Sequence, residues 1–112
     1  MEYINERDRE FRNKTSGPKY IFRGPKLEWG ILVLNPSEKL GHHFHEKVEE
    51  TFFLEEGEAT MIINGKEIQA QRGDAFRLDP GDTHDIENRT KYACRFIFIK
   101  CPYIPDDKKS LN

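Results

Sequence analysis

Cysteine is scarce in this chain of 112 residues, with Cys94 and Cys101 the two present. Their odd spacing sends them to opposite faces of a strand, which makes them poor disulfide partners, and the lack of any C-x-x-C pair excludes the common thiol redox and zinc motifs. No apolar run approaches the length that crosses a bilayer. The opening residues, with Glu2, Glu6, Arg7, Asp8 and Arg9, lack the apolar centre of a signal peptide. A cytoplasmic location and no membrane partner are the expectations that follow. Neither sign of charge dominates, with 18 basic and 20 acidic side chains and a formal net charge of −2. The distribution is uneven: residues 40–90 carry five basic and twelve acidic groups. An acidic middle argues against a nucleic-acid surface and favours the approach of cations.

At this length one hydrophobic core is expected. Turn signals recur at Gly41, Gly57, Asn64-Gly65, Gly73 and Pro80-Gly81, and short strands at that spacing mean an all-β sandwich or barrel. Residues 27–34 read as a strand closed by Asn35-Pro36. Asn64-Gly65 predicts a type I′ hairpin between residues 58–63 and 66–71. Residues 92–101 form a later strand that is apolar on both parities, so both of its faces need cover. Residues 1–25, broken by Ser16-Gly17-Pro18, are expected as an N-terminal arm, a short helix or an extended segment. The barrel is expected over residues 26–101, and residues 102–112 as a frayed tail whose Pro102 and Pro105 cannot continue a sheet.

The four histidines lie in two short segments, Gly41-His42-His43-Phe44-His45 through Glu50 to Gly57, and Gly73 through Pro80-Gly81 and His84 to Asn88. Residues two apart share a strand face, so His43 and His45 can present both imidazoles to one point while His42 and Phe44 face away. Glu50 has the opposite parity on an unbroken strand. A turn within residues 46–49 must reset that parity if Glu50 is to join the histidines.

These two segments resemble the motifs of the cupin superfamily. His43, His45, Glu50 and Gly57 match H-x-H-x4-E-x6-G without a gap, and Gly73, Gly81, His84 and Asn88 match G-x5-P-x-G-x2-H-x3-N. Ser37 stands where the first motif usually opens with glycine, and the proline is displaced by one, to Pro80. The resemblance implies a double-stranded β-helix, or jelly-roll barrel, holding a divalent metal through His43, His45, Glu50 and His84. Such a nitrogen and oxygen donor set without sulfur suits iron, manganese, nickel, cobalt, copper or zinc and disfavours calcium or magnesium. Gly57, Gly73 and Gly81 are assigned to backbone geometry, and Asn88 to hydrogen bonding in a turn.

Parity places Phe52 and Leu54 with Glu50, and Ile86 and Asn88 with His84, around a mostly apolar pocket. Arg77 is read as a possible carboxylate ligand or, more simply, a solvated outer arginine. Glu49 and Tyr92 are the candidates for proton transfer, whereas Tyr20, Arg23 and Trp29 default to packing or subunit contact. Proteins resembling this one include dioxygenases, decarboxylases, isomerases and lyases. The expected function is therefore a metal-dependent enzyme of one of these types on a small oxygen-rich molecule, such as a carboxylate or sugar derivative. A non-catalytic binding or sensing protein is the second reading, and a storage or structural protein the third. A homodimer is expected, because Phe53 and one of the pairs Phe96/Phe98 or Ile97/Ile99 must face away from the core.

Overall fold

The structure, a computed structural model, describes residues 1–111. It is built from antiparallel strands: β1 (Gly17–Arg23), β2 (Glu28–Leu34), β3 (His43–His45), β4 (Glu49–Glu56), β5 (Ala59–Ile63), β6 (Lys66–Ala70), β7 (Ala75–Leu78), β8 (His84–Glu87), β9 (Cys94–Cys101) and β10 (Lys108–Ser110). Two five-stranded sheets face each other, ordered β1-β2-β9-β4-β7 and β10-β3-β8-β5-β6. This is the all-β jelly-roll arrangement that the motifs imply.

The period-two alternation of β4 and β9 defines which side is inside. Glu50, Phe52 and Leu54 of β4 and Cys94, Phe96 and Phe98 of β9 point between the sheets and are buried. All of these but Glu50 meet Met61 and Ile86 from the opposite sheet in one core. Phe52 and Phe96 pack edge to face with centroids 6.0 Å apart, and burying each ring stabilises the fold by about 1.5–3 kcal/mol. Cys94 lies in this core, where burial pushes its thiol up to about 11, while Cys101 is exposed. The two thiols do not meet.

The hairpin between β5 and β6 forms as expected: Asn64 and Gly65 both have positive φ, 51° and 79°, the requirement of a type I′ turn. The segments flanking residues 26–101 contribute more than an arm and a tail. Gly17–Arg23 is an edge strand of the first sheet, registered on β2 from Gly17↔Val33 to Arg23↔Glu28. Residues 102–111 are not frayed, since β10 pairs with β3 as Lys108↔His45, Lys109↔Phe44 and Ser110↔His43. An edge strand bound through its main chain, with Lys108, Lys109 and Ser110 all exposed, leaves no apolar alternation for a sequence to reveal.

Before β1 the chain makes one turn of 3-10 helix, Glu6–Asp8, capped by Asn5, whose Oδ1 accepts from the Arg7 amide at 3.0 Å. A tight reversal follows, with Phe11 bridged to Lys14. This arm crosses the outer face of the first sheet, where Glu6 receives Arg95 at 2.7 Å and Lys19 at 3.1 Å. It leaves part of that face open, with Phe53 and Ile99 each 41% exposed. Among the described residues no helix is long and apolar enough to cross a membrane.

Candidate metal centre

His43 and His84 sit directly opposite each other in the β3–β8 ladder, and His45 lies two residues along β3 on the same face. All three imidazoles thus project from one sheet into the interior. Glu50 comes from β4, in the facing sheet. The chain leaves β3 after His45, turns through residues 46–48 and enters the other sheet at Glu49. Changing sheets is what resets the parity, so Glu50 points back at the histidines.

The turn is held from outside the motif. The buried Asp107 carboxylate accepts the amides of Lys47 at 2.8 Å and Val48 at 2.9 Å. Burial alone would raise its carboxyl, but these amides, with that of Glu46, outweigh burial and hold it below the ordinary range.

His43, His45, Glu50 and His84 are each no more than 5% exposed. One ligand atom from each lies within 4.8 Å of the others, forming a buried cluster that could hold a metal ion. The backbone fixes two of the tautomers, because a carbonyl can only accept: Nδ1–H of His43 donates to Gly41 O at 2.7 Å and Nδ1–H of His84 to Asp82 O at 3.0 Å. The Nε2 lone pairs of both rings are then left for the cluster. Nε2 of a neutral His84 faces Glu50 Oε1 at 3.3 Å, so two acceptors confront each other. A proton on that nitrogen or a metal ion between the two satisfies both, and the donor set fits the second.

Burial, reinforced by neighbouring His84, lowers His43 to about 3, so its imidazole stays neutral and able to ligate. Burial would raise the Glu50 carboxyl, yet the His45 and His84 rings it faces, with the Lys100 ammonium, outweigh burial and hold the carboxyl below its ordinary range. His42 points elsewhere, and its Nε2 is buried without a hydrogen-bond partner.

A cavity of about 50 Å³ opens against His43 and Glu50, with an apolar wall that includes Leu32, Leu40, Phe52 and Phe98. Arg12, Tyr20, Lys100 and Lys108 also line it. Lys100 Nζ donates to Tyr20 Oη at 2.9 Å. Burial, and then the positive charges of Arg12 and Lys100, lower the Lys108 ammonium.

Several sequence expectations for the pocket fall elsewhere. Leu54 and Ile86 belong to the core cluster beneath the cavity. Asn88 anchors the fold, donating from Nδ2 to Leu34 O at 2.9 Å and Tyr92 O at 2.8 Å. Arg77 is a solvated outer residue whose nearest acidic contact is Glu49 at 3.9 Å. That contact also takes Glu49 away from the site, and Tyr92 is 77% exposed. The cationic lining was missed because Arg12 and Lys108 come from the segments flanking the motifs, where nothing in the spacing links them to His43.

With this geometry in view, comparisons with known proteins agree on the class. The Cupin domain family matches residues 30–100. The chain belongs to the cupin family. The tetracenomycin polyketide synthase protein TcmJ of Streptomyces glaucescens is 32% identical over 76 residues, covering 68% of this chain and 51% of that protein. The oxalate-binding protein of Thermotoga maritima is 32% identical over 68 residues, covering 61% of this chain and 56% of that protein. The chain therefore spans about half the length of these relatives. A double-stranded β-helix protein of Klebsiella pneumoniae superposes with a TM-score of 0.84 at 16% identity, covering 100% of this chain and 98% of that one, which shows the shared fold.

Proposed function

We propose that this protein is a metal-dependent enzyme acting on a small oxygen-rich molecule, of the dioxygenase, decarboxylase, isomerase or lyase type. The observation that carries the reading is the pairing of a buried three-histidine, one-glutamate cluster with a cavity that opens against two of its members. A purely structural metal site is closed by its ligands, whereas an adjoining cavity leaves room for an exchangeable one. A divalent transition metal held by His43, His45, Glu50 and His84 would supply Lewis-acid or dioxygen chemistry at that point.

The rest of the work falls to the chain's own side chains. Leu32, Leu40, Phe52 and Phe98 exclude water from one side of the cavity. Tyr20, which lines the cavity and accepts from Lys100, is the proton-transfer group this reading assigns, in place of Glu49 and Tyr92. The second reading is a protein that binds its ligand without turnover, which the oxalate-binding relative supports by its name. Elemental analysis of protein purified without added metal, followed by turnover assays on carboxylates and sugar derivatives, separates the two. Bound metal with turnover lost in Tyr20→Phe supports the enzyme; bound metal with no turnover on any of them supports the binder.

We also propose a cytoplasmic homodimer. Phe53 and Ile97 are cross-strand partners, as are Trp29 and Ile99, and together they form an apolar patch beside the arm that a second copy would cover.

A further inference from the structure

Three cations converge on the metal-side cavity from three separate parts of the chain: Arg12 from the N-terminal reversal, Lys100 from the end of β9 and Lys108 from the start of β10. Lys100 is partly offset by Glu28 at 3.9 Å. Among the described residues, Arg12 and Lys108 form no salt bridge at all. The remaining charges make this more telling, because residues 40–90 carry twelve acidic side chains against five basic ones, yet Glu50, at the floor, is the one carboxylate that lines this cavity. Gathering like charges around one small, solvent-open cavity is unfavourable without an anion to offset them, though solvent screens part of that repulsion.

The cavity's size limits that anion. A volume of about 50 Å³ encloses roughly four water-sized groups, at about 10–15 Å³ each, so a ligand seated there is small or reaches out to the rim. A divalent metal held by one carboxylate would leave its own net positive charge at the floor, while Arg12 and Lys108 supply positive charge at the mouth. Positive charge at both ends and an apolar wall between them match a ligand with two anionic ends joined by a short carbon link.

Resting on the metal reading for its inner end, we propose that the cavity binds a small dicarboxylate, and that Arg12 and Lys108 are the specificity-determining residues that hold its outer carboxylate. Charge-assisted and, for Arg12, bidentate hydrogen bonds are the contacts such a carboxylate would make. The two residues bring the flanking segments into the site, so ligand choice is set outside the motif-bearing strands.

The test is calorimetric titration of malonate and of its neutral diamide, malonamide, at low salt, into metal-loaded and metal-free protein. Malonate is expected to bind at least about tenfold more tightly than malonamide, and Arg12→Gln/Lys108→Gln to weaken malonate by about tenfold or more with metal content and melting temperature unchanged. Arg12→Lys/Lys108→Arg, which keeps both charges, is expected to retain malonate binding. Equal binding of malonate and malonamide, no malonate binding by the unaltered chain, or undiminished affinity in the double glutamine variant would each overturn the proposal. Elemental analysis keeps the two readings apart: a protein without metal whose malonate binding still depends on Arg12 and Lys108 sinks the metal centre and leaves the anion site standing.

Discussion

Asp107, near the C-terminal end of the chain, holds the amide of Val48 at 2.9 Å, inside the turn that carries the chain from His45 to Glu50. One carboxylate in the final segment thus braces the turn between two members of the candidate metal cluster. Asp107→Ala leaves the buried Val48 amide unpaired, at a cost of about 1–3 kcal/mol. The predicted outcome is a lower melting temperature together with weaker metal binding, read by thermal denaturation and by metal titration. A variant destabilised with unchanged metal affinity would show that the turn does not position Glu50.

Acid should weaken the metal-free fold through the same cluster. His43 takes a proton near its ordinary value of 6.5 when unfolded and at about 3 in the fold, so between those values the unfolded chain binds more protons. Its contribution is fully present above pH 6.5 and is lost as pH falls. Glu50, held below its ordinary 4.5, adds a loss of the same sign below that value. Each group supplies a slope of at most about 1.4 kcal/mol per pH unit. Melting temperatures of metal-free protein should fall from pH 6.5 towards 4, with a shallower fall above pH 4.5 in His43→Gln. A flat profile in the unaltered chain would contradict the burial of a neutral imidazole.

Ser37 stands where related motifs place glycine, and it adopts φ +72°, a conformation that costs residues with a Cβ about 1–2 kcal/mol. Its amide donates to Asn88 O at 2.8 Å, which holds it there. Ser37→Gly should stabilise the protein by up to about 1 kcal/mol, once the greater freedom of glycine in the unfolded chain is set against the relieved strain. Chemical denaturation measures this, and a destabilised variant would mean that the serine side chain contributes more than the strain costs.

The exposed patch around Phe53, with Ile97 and Ile99 beside it, bears on assembly. Light scattering at micromolar concentration is expected to give twice the 13.2 kDa chain mass, and Phe53→Glu to return it to the monomer by placing charge in an apolar interface. A monomeric mass for the unaltered chain would leave the arm as the sole cover of that face.

The parts of this protein visible in its sequence are those written in side-chain periodicity and turn chemistry. His43 and His45 share a face because they are two apart, Asn64-Gly65 makes its hairpin because both residues take positive φ, and Phe52 is buried with Glu50 as β4 alternates, whereas the inward face of β9 was illegible because both of its parities are apolar. Glu50 was legible only as a condition, since parity alone points it away and the crossing between sheets brings it back. The strands β1 and β10 were hidden for different reasons. Lys108–Ser110 pairs through its main chain and shows no apolar pattern, while Gly17–Arg23 starts inside the breaker Ser16-Gly17-Pro18, which reads as the end of structure. Because Arg12 and Lys108 belong to those two regions, the cationic mouth of the cavity was illegible as well. Long-range pairing, which no local window contains, assembles it.

If His43, His45, Glu50 and His84 bind one metal ion, the metal content of protein purified without added metal must differ between His84→Ala and both the unaltered chain and His42→Ala. About one transition-metal ion per chain is expected in the unaltered protein and in His42→Ala, and almost none in His84→Ala, with a melting temperature that drops only in the last, because metal stabilises the folded state alone. Equal metal content in His84→Ala and the unaltered chain, or none in any of the three even after loading with zinc or manganese, would contradict it.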